Sequence, residues 1–464
     1  MNSVSSLRVG DIISLRTSQP TSGWLSSEGI LTDDCVLVSE GFKFENCLWE
    51  VTVQHQYNST NELLEKNIVI NNSHSRQYDD DDNGVLRNEK KHKDDIISAS
   101  INEDRLNDKL SSMKYGKLVS FGDVIQLRHF LSKKFITVSS TMLAKIERRN
   151  MRIGIQERGN TMSWLEFMPR FKYDREGQPI NDEAETYIRV HERSSEYIHA
   201  ARKASKYAVN NAKEINCSLE SSCWKISIYS KASDAMTKNI LLGNLVTLQE
   251  PEASTYLTLD SRKNSNCANV VMSSSMQLSF SASDCNVGTN LLWMLEGEDM
   301  FQGGVVSNHG SNIALRDLNS GLYMKMSEGG VTAVKNREEC SFFELSTSQP
   351  ADIGSSIADG TIVQLSCQKE FVGLKKSQNG KLHCEGCADR SSALSMVVSS
   401  KLQQTMGVDL IAGVEATVVV RRFERLIRTK EMFLLPKPLM EFEIRKYFAC
   451  IDFVSEFLQP HDSF

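Results

Sequence analysis

The sequence predicts a mainly β chain: two tandem β-trefoils, the first interrupted by a helical arm, followed by the start of an α-helical solenoid. Three observations carry this. One strand–turn–strand plan recurs six times, a polar segment breaks the β rhythm once over residues 58–118, and the periodicity turns helical from about residue 403. Self-similarity of this kind decides an architecture before any local propensity does.

The copies open at "GDIISL" (residues 10–15), "GDVIQLRHFLSKKFITV" (122–138), "TYIRVHERSSEYIHA" (186–200), "GNLVTLQEPEASTYLTL" (243–259), "SNIALRDLNSGLYMKM" (311–326) and "GTIVQLSCQKEFVGL" (360–374). Five share an alternating strand, a polar turn and a second strand bearing an aromatic, at Phe135, Tyr197, Tyr256, Tyr323 and Phe371. The first copy reads "SGWLSSEG" there and is expected to depart from the plan. Most copies close alike, in "CLWEVTV", "SWLEFMP", "CWKISIY", "LLWMLEG" and "SFFELST", so Trp49, Trp164, Trp224, Trp293 and Phe342 are expected to plug the core. The sixth closes in "LSMVVSS" without an aromatic. Period-two alternation marks half-buried strands, and a single copy leaves an apolar face bare. Two closed three-fold barrels bury those faces and leave no sheet edge. The expected domains are residues 1–230, with the insertion at about 58–118, then 236–400, then a helical segment at 403–464.

Inside the insertion, "TNELLEKN" and "NEDRLNDKLSSM" have helical spacing. Its "DDDDNG" run offers Asp79, Asp81, Asn83 and Gly84 to a calcium loop of EF-hand type, but Lys90 stands where a glutamate is needed. A solvated insertion is the expected reading. From about residue 403 a long amphipathic segment runs to "LPKP", where Pro436 and Pro438 break it, and restarts in "LMEFEIRKYFACIDFVSEFL".

Composition narrows the function classes. The 464 residues are 40% hydrophobic and 24% charged, globular values, with net charge −6. The acidic balance, pI about 5.9, argues against nucleic-acid binding. No apolar run approaches the length of a membrane-spanning helix, and "MNSVSSLRVGD" lacks the apolar stretch of an export signal. The 11 cysteines therefore read as reduced thiols. Cys384 and Cys387 form a CxxC next to His383, but without a second such pair they read as a turn with two thiols, not a zinc site. Phosphate-loop, HExxH and nucleophile-elbow motifs are missing, so neither an enzyme nor a cofactor is expected.

The segment "YGKLVSFGDVIQLRHFLSKKFITV", continued by "LAKIERRNMRIGIQERGNTMSWLEFMPRFKYDREG", resembles the N-terminal cytosolic region of inositol trisphosphate receptors. The related ryanodine receptors share its plan of parts. The resemblance implies a suppressor-like first trefoil, a second trefoil of MIR type, and armadillo-like helices that close a ligand clamp with it. It also implies the cytoplasmic sensing head of an endoplasmic-reticulum calcium channel, assembled as a homo- or hetero-tetramer, with the pore outside this chain.

In that family an Arg-Thr-Thr-Gly-Arg loop of the second trefoil holds phosphates. Its place falls on Ser273, Ser274, Ser275, Met276 and Gln277, within the serine-rich "VVMSSSMQLSFSAS". Both arginines are gone. On the helical side Arg445 falls on a phosphate-binding arginine, while the lysine one turn later becomes Ala449; Lys446 points elsewhere around the helix. Residues 231–400 carry 13 Lys and Arg against 18 Asp and Glu, net −5, the wrong sign to gather a polyanion. The expectation is weak or lost inositol trisphosphate binding. Phe171 falls on an aromatic that contacts a neighbouring subunit in the family; packing on its own barrel is the alternative. A different class of reading is a stand-alone MIR-type module for protein or carbohydrate partners.

Overall fold

Every copy of the plan begins at the same backbone device. In the computed structural model, four-residue turns at residues 8–11, 120–123, 181–184, 241–244, 307–310 and 358–361 are each closed by an N–H···O bond of 3.0–3.3 Å from fourth residue to first. The third residue is left-handed in all six: Gly10, Gly122, Gly243 and Gly360, but Glu183 (φ 68°) and His309 (φ 51°) in the other two. Glycine is the default there because a Cβ opposes positive φ. The N–H of that residue donates to Val51, Phe167, Ile226, Leu295, Leu345 or Val398, tying each opening turn to its closing strand. The structure describes residues 5–19, 21–27, 33–39, 44–65, 84–204, 212–252, 255–260, 268–273, 291–318, 320–327, 330–347, 353–376 and 382–400, with Ile427 and Ile444 helical.

Two units divide the chain between Ile228 and Tyr229. In the first, copy one supplies β1 (Ile12–Gln19), β2 (Gly23–Ser27), β3 (Cys35–Val38) and β4 (Leu48–Val53). The arm follows as α1 (Asn58–Glu65) and α2 (Gly84–Lys114). Copy two supplies β5 (Val124–His129), β6 (Phe135–Leu143), β7 (Met151–Gln156) and β8 (Leu165–Pro169). Copy three supplies β9 (Glu185–Val190), β10 (Arg193–Ala204), β11 (Lys213–Ser218) and β12 (Cys223–Ser230). Strands β1, β4, β5, β8, β9 and β12 pair in a closed ring, and the hairpins β2–β3, β6–β7 and β10–β11 pair with one another across one end. A three-membered cycle of backbone bonds marks the three-fold axis: Leu7 to Ile180 (2.7 Å), Ile180 to Val119 (3.0 Å) and Val119 to Leu7 (2.9 Å).

The second unit repeats this after a short helix, α3 (Ala232–Ala235). Its strands are β13 (Leu245–Glu250), β14 (Thr255–Asp260), β15 (Ala268–Ser273), β16 (Trp293–Gly297), β17 (Asn312–Asp317), β18 (Tyr323–Ser327), β19 (Gly330–Val334) and β20 (Phe343–Thr347). The last copy adds β21 (Ile362–Cys367), β22 (Glu370–Lys376), β23 (Leu382–Cys387) and β24 (Met396–Ser399). β13, β16, β17, β20, β21 and β24 close the ring, and Ile240, Ile357 and Val306 form the axial cycle with bonds of 2.8–2.9 Å. Each unit is a β-trefoil, and the described chain is 51% strand.

The plug position is occupied six times, by Trp49, Leu165, Trp224, Trp293, Phe343 and Met396, each fully buried. The three indoles donate to Leu25, Ile198 and Leu257 carbonyls at 3.0–3.1 Å, so burial leaves no donor unpaired. This corrects the sequence expectation in two copies. Trp164 and Phe342 sit one residue earlier and are half-buried. Because successive strand residues face opposite ways, a one-residue offset moves a ring from the core to the outer face. The first copy does not depart from the plan either: Trp24 lies opposite Arg16 as Phe135 lies opposite Arg128 and Tyr197 opposite Arg189.

The arm is fastened by side chains of α2. Glu103, nearly buried, accepts from Ser59 N (3.1 Å), Thr60 N (3.0 Å) and Thr60 Oγ1 (3.0 Å), satisfying the first free N–H groups of α1. Asn107 pairs both ways with the Gln56 backbone at 2.9 Å, and Ser111 meets His55 Nε2 at 2.9 Å. Residues 79–83 of the aspartate run, and the helical segment expected from 403 apart from Ile427 and Ile444, lie outside the described residues.

Candidate functional site

The lip of the second trefoil begins on the β14–β15 hairpin. Five register pairs, from Tyr256 opposite Ser273 to Asp260 opposite Asn269, hold it, and Val270 anchors it in the core. β15 also pairs with β19 and β23, so all three hairpins of this trefoil meet at its base. Ser273, the first of the five residues expected to form a phosphate loop, is the last residue of β15. Ser274, Ser275, Met276, Gln277 and Arg445 lie outside the described residues, as do Lys446 and Ala449.

Phe171 lies on the loop after β8. It is 37% exposed, and Tyr173 beside it is 72% exposed. Their rings stack at 5.1 Å between centroids and 8° between planes. The Arg170 guanidinium lies 5.1 Å from the Phe171 centroid while pairing with Glu185. Gly177 N donates to Phe121 O (2.8 Å) and Arg175 N to Gln178 Oε1 (2.9 Å), so the loop is pinned to the barrel while the two rings face outward.

The two CxxC thiols sit in different surroundings. Cys384 is buried in the second core, and burial pushes its thiol up to about 12. Cys387 is half-buried and also raised, first by burial. A metal binds the thiolate, which both environments oppose. Among the described residues no group of three or more His, Cys, Asp or Glu side chains is placed to hold a metal ion.

One set of positions went unrecognised in the sequence: the outward residue after each plug. Glu50 follows Trp49 and lies opposite Arg128, bonded at 2.8 Å. Glu166 follows Leu165 and lies opposite Arg189, whose Nε donates at 2.7 Å, while His191 Nδ1 donates at 2.5 Å. In the second trefoil Glu296 instead takes Arg316 (2.5 Å), Arg337 (3.3 Å) and the Tyr323 hydroxyl (3.1 Å); burial raises its carboxyl against them. The aligned fragments "QLRH", "YIRV" and "ALRD" carried that signal.

These observations define a tandem pair of trefoils with an arm in the first. The family described as inositol 1,4,5-trisphosphate/ryanodine receptor matches residues 2–235, half of the chain. The chain belongs to this family and corresponds to the N-terminal region of its inositol trisphosphate receptors. The inositol 1,4,5-trisphosphate receptor itr-1 of Caenorhabditis elegans is 27% identical over 273 residues, 55% of this chain and 9% of the relative. The chain therefore spans less than a tenth of that relative's length. Among the described residues no helix is long and apolar enough to cross a membrane.

Proposed function

We propose that this chain is the ligand-sensing and gating head of an intracellular calcium-release channel, standing on the cytoplasmic face of the endoplasmic reticulum, and that it binds inositol trisphosphate weakly or not at all. Family membership supports the receptor role. The observation that carries the weakened binding is the cation-free run at residues 273–277, which starts at the last residue of β15, where the resemblance puts two arginines. A polyphosphate needs guanidinium or ammonium groups around it. Two missing charge-assisted contacts of roughly 1.5–3 kcal/mol each remove about two to four decades of affinity. The net −5 of residues 231–400 works in the same direction. Calorimetric titration of the 464-residue chain with inositol 1,4,5-trisphosphate tests this. Heats that saturate only above the micromolar range are expected; micromolar or tighter binding overturns the proposal.

Assembly with other channel subunits, as a homo- or hetero-tetramer, is proposed to use the Phe171 loop. Two stacked, outward rings are the kind of rigid anchor that dominates interfaces. Phe171→Ala should weaken capture of the chain by full-length receptor subunits at least tenfold, and unchanged capture removes the loop from the interface.

A further inference from the structure

The copy closed by β20 breaks the outward pattern at one position. In the first trefoil a register row reads glutamate, arginine, aromatic: Glu50, Arg128, Phe135 in one case and Glu166, Arg189, Tyr197 in the other. In the second trefoil the three rows read Met294, Arg316, Tyr323, then Val397, Gln249, Tyr256, and Glu344, Ser366, Phe371, the last being the one that keeps the glutamate. The glutamate and the aromatic remain and the arginine between them is a serine. The consequence is visible in exposure: Glu50 and Glu166 are 17% and 6% exposed, Glu344 is 46% exposed. The one contact recorded for the Glu344 carboxylate among the described residues is His309 Nδ1, at a weak 3.4 Å.

Beside this row lies a cavity of about 640 Å³, half open to solvent, lined by Glu344, Ser366 and Phe371 with His309, Asn312, Phe342 and Lys369 among others. Its rim holds three residues with left-handed backbone. His309 (φ 51°) occupies the left-handed position that is glycine in four of the six copies, and Gln368 and Lys369 (φ 51° and 74°) form a doubly left-handed turn between β21 and β22.

We propose that this cavity is a binding site for an alkyl-guanidinium group, supplied in trans where the rows at Glu50 and Glu166 have an arginine of this chain. Glu344 offers two acceptor oxygens to a planar fork, Ser366 and Asn312 offer further acceptors, and Phe371 offers a face on which a guanidinium stacks, while Phe342 already carries the Arg337 guanidinium 5.4 Å from its centroid. The volume exceeds the group itself, so the source is either an arginine side chain of a peptide segment or a small free guanidino compound. Lys369 at the mouth opposes the charge and limits affinity.

The test titrates the 464-residue chain with N-acetyl-arginine N-methylamide and, separately, methylguanidine, with N-acetyl-lysine N-methylamide as the ammonium control, followed by calorimetry or NMR shifts. Saturable binding of a guanidinium probe is expected, lost at least tenfold in Glu344→Gln and in Ser366→Arg, and strengthened severalfold in Lys369→Gln. Preference for the arginine derivative over methylguanidine assigns a peptide source, and the reverse a small metabolite. Three results each overturn the proposal: no saturation below about 10 mM, binding unaffected by Glu344→Gln, or equal binding of the lysine control. Ser366→Arg also has a readout of its own, because a self-supplied arginine should raise the melting temperature of the second trefoil.

Discussion

Replacing Arg189 by methionine should destabilise the first trefoil by about 3 kcal/mol. Glu166 is 6% exposed and takes two bonds from Arg189 and one from His191 Nδ1. Methionine keeps most of the aliphatic stem, so the change isolates the charge. Removing one partner of a buried ion pair usually costs roughly 3–5 kcal/mol, because the remaining charge stays desolvated. His191 is 39% exposed and still donates, which keeps the expected loss at the lower end. Adding Glu166→Gln to Arg189→Met should restore about 2 kcal/mol, a coupling typical of residues in one network. Urea unfolding gives the energies, and amide exchange in β8 and β9 localises them. The matched change Arg128→Met, at a pair 33% and 17% exposed, should cost only about 1 kcal/mol. If Arg189→Met costs less than about 1 kcal/mol, or the two changes simply add, the glutamate is effectively solvated and the reasoning fails.

Glu103→Ala removes the acceptor of three bonds at the start of α1. It should weaken the arm by about 2 kcal/mol, read as roughly thirtyfold faster amide exchange in α1 and α2 with the barrel strands unchanged. His129 is fully buried and burial lowers it to about 4 from 6.5. Below pH 6.5 the unfolded chain takes up the proton first, so stability should fall as pH drops from about 6.5 to 4, by up to about 3 kcal/mol. His129→Gln should flatten that slope in urea titrations across the window. Leu165→Ala should cost about 3 kcal/mol in urea unfolding while Phe342→Ala costs at most about 1 kcal/mol, and a reversed order would restore the aromatic reading of the repeat.

The trefoils were legible because alternation and self-similarity are local properties of the chain. The plug positions were legible only where the aromatic happened to be the plug. Choosing Trp164 over Leu165 followed side-chain type, and between Phe342 and Phe343 type gives no choice at all, whereas the strand follows register: Leu165 lies opposite Ile125 and Phe343 opposite Ile313. Trp24 was passed over for a similar reason, since its turn differs in wording while its position opposite Arg16 does not. The arm showed its helical spacing, but the use of Glu103 as a cap joins residues 43–44 apart and leaves no local trace. The Glu–Arg rows need pairing across 23 to 78 residues, which a motif search does not supply. The phosphate loop was placed by resemblance alone, because nothing in a run of serines indicates what its neighbours are for.

The six copies show which positions tolerate divergence. The left-handed residue keeps its backbone bond even when it is Glu183 or His309, and the plug stays buried whether it is tryptophan, leucine, phenylalanine or methionine. Both serve the shared core of a trefoil that no single copy can form. The outward residues carry no such common duty: after the plugs stand Glu50, Glu166, Lys225, Met294, Glu344 and Val397. A trefoil can therefore carry an arginine in one cross-strand row, as at Arg128, and a serine in the same place of another, as at Ser366, without losing its fold. The row at Glu344 keeps a glutamate and an aromatic beside a cavity, and on that combination the guanidinium site rests.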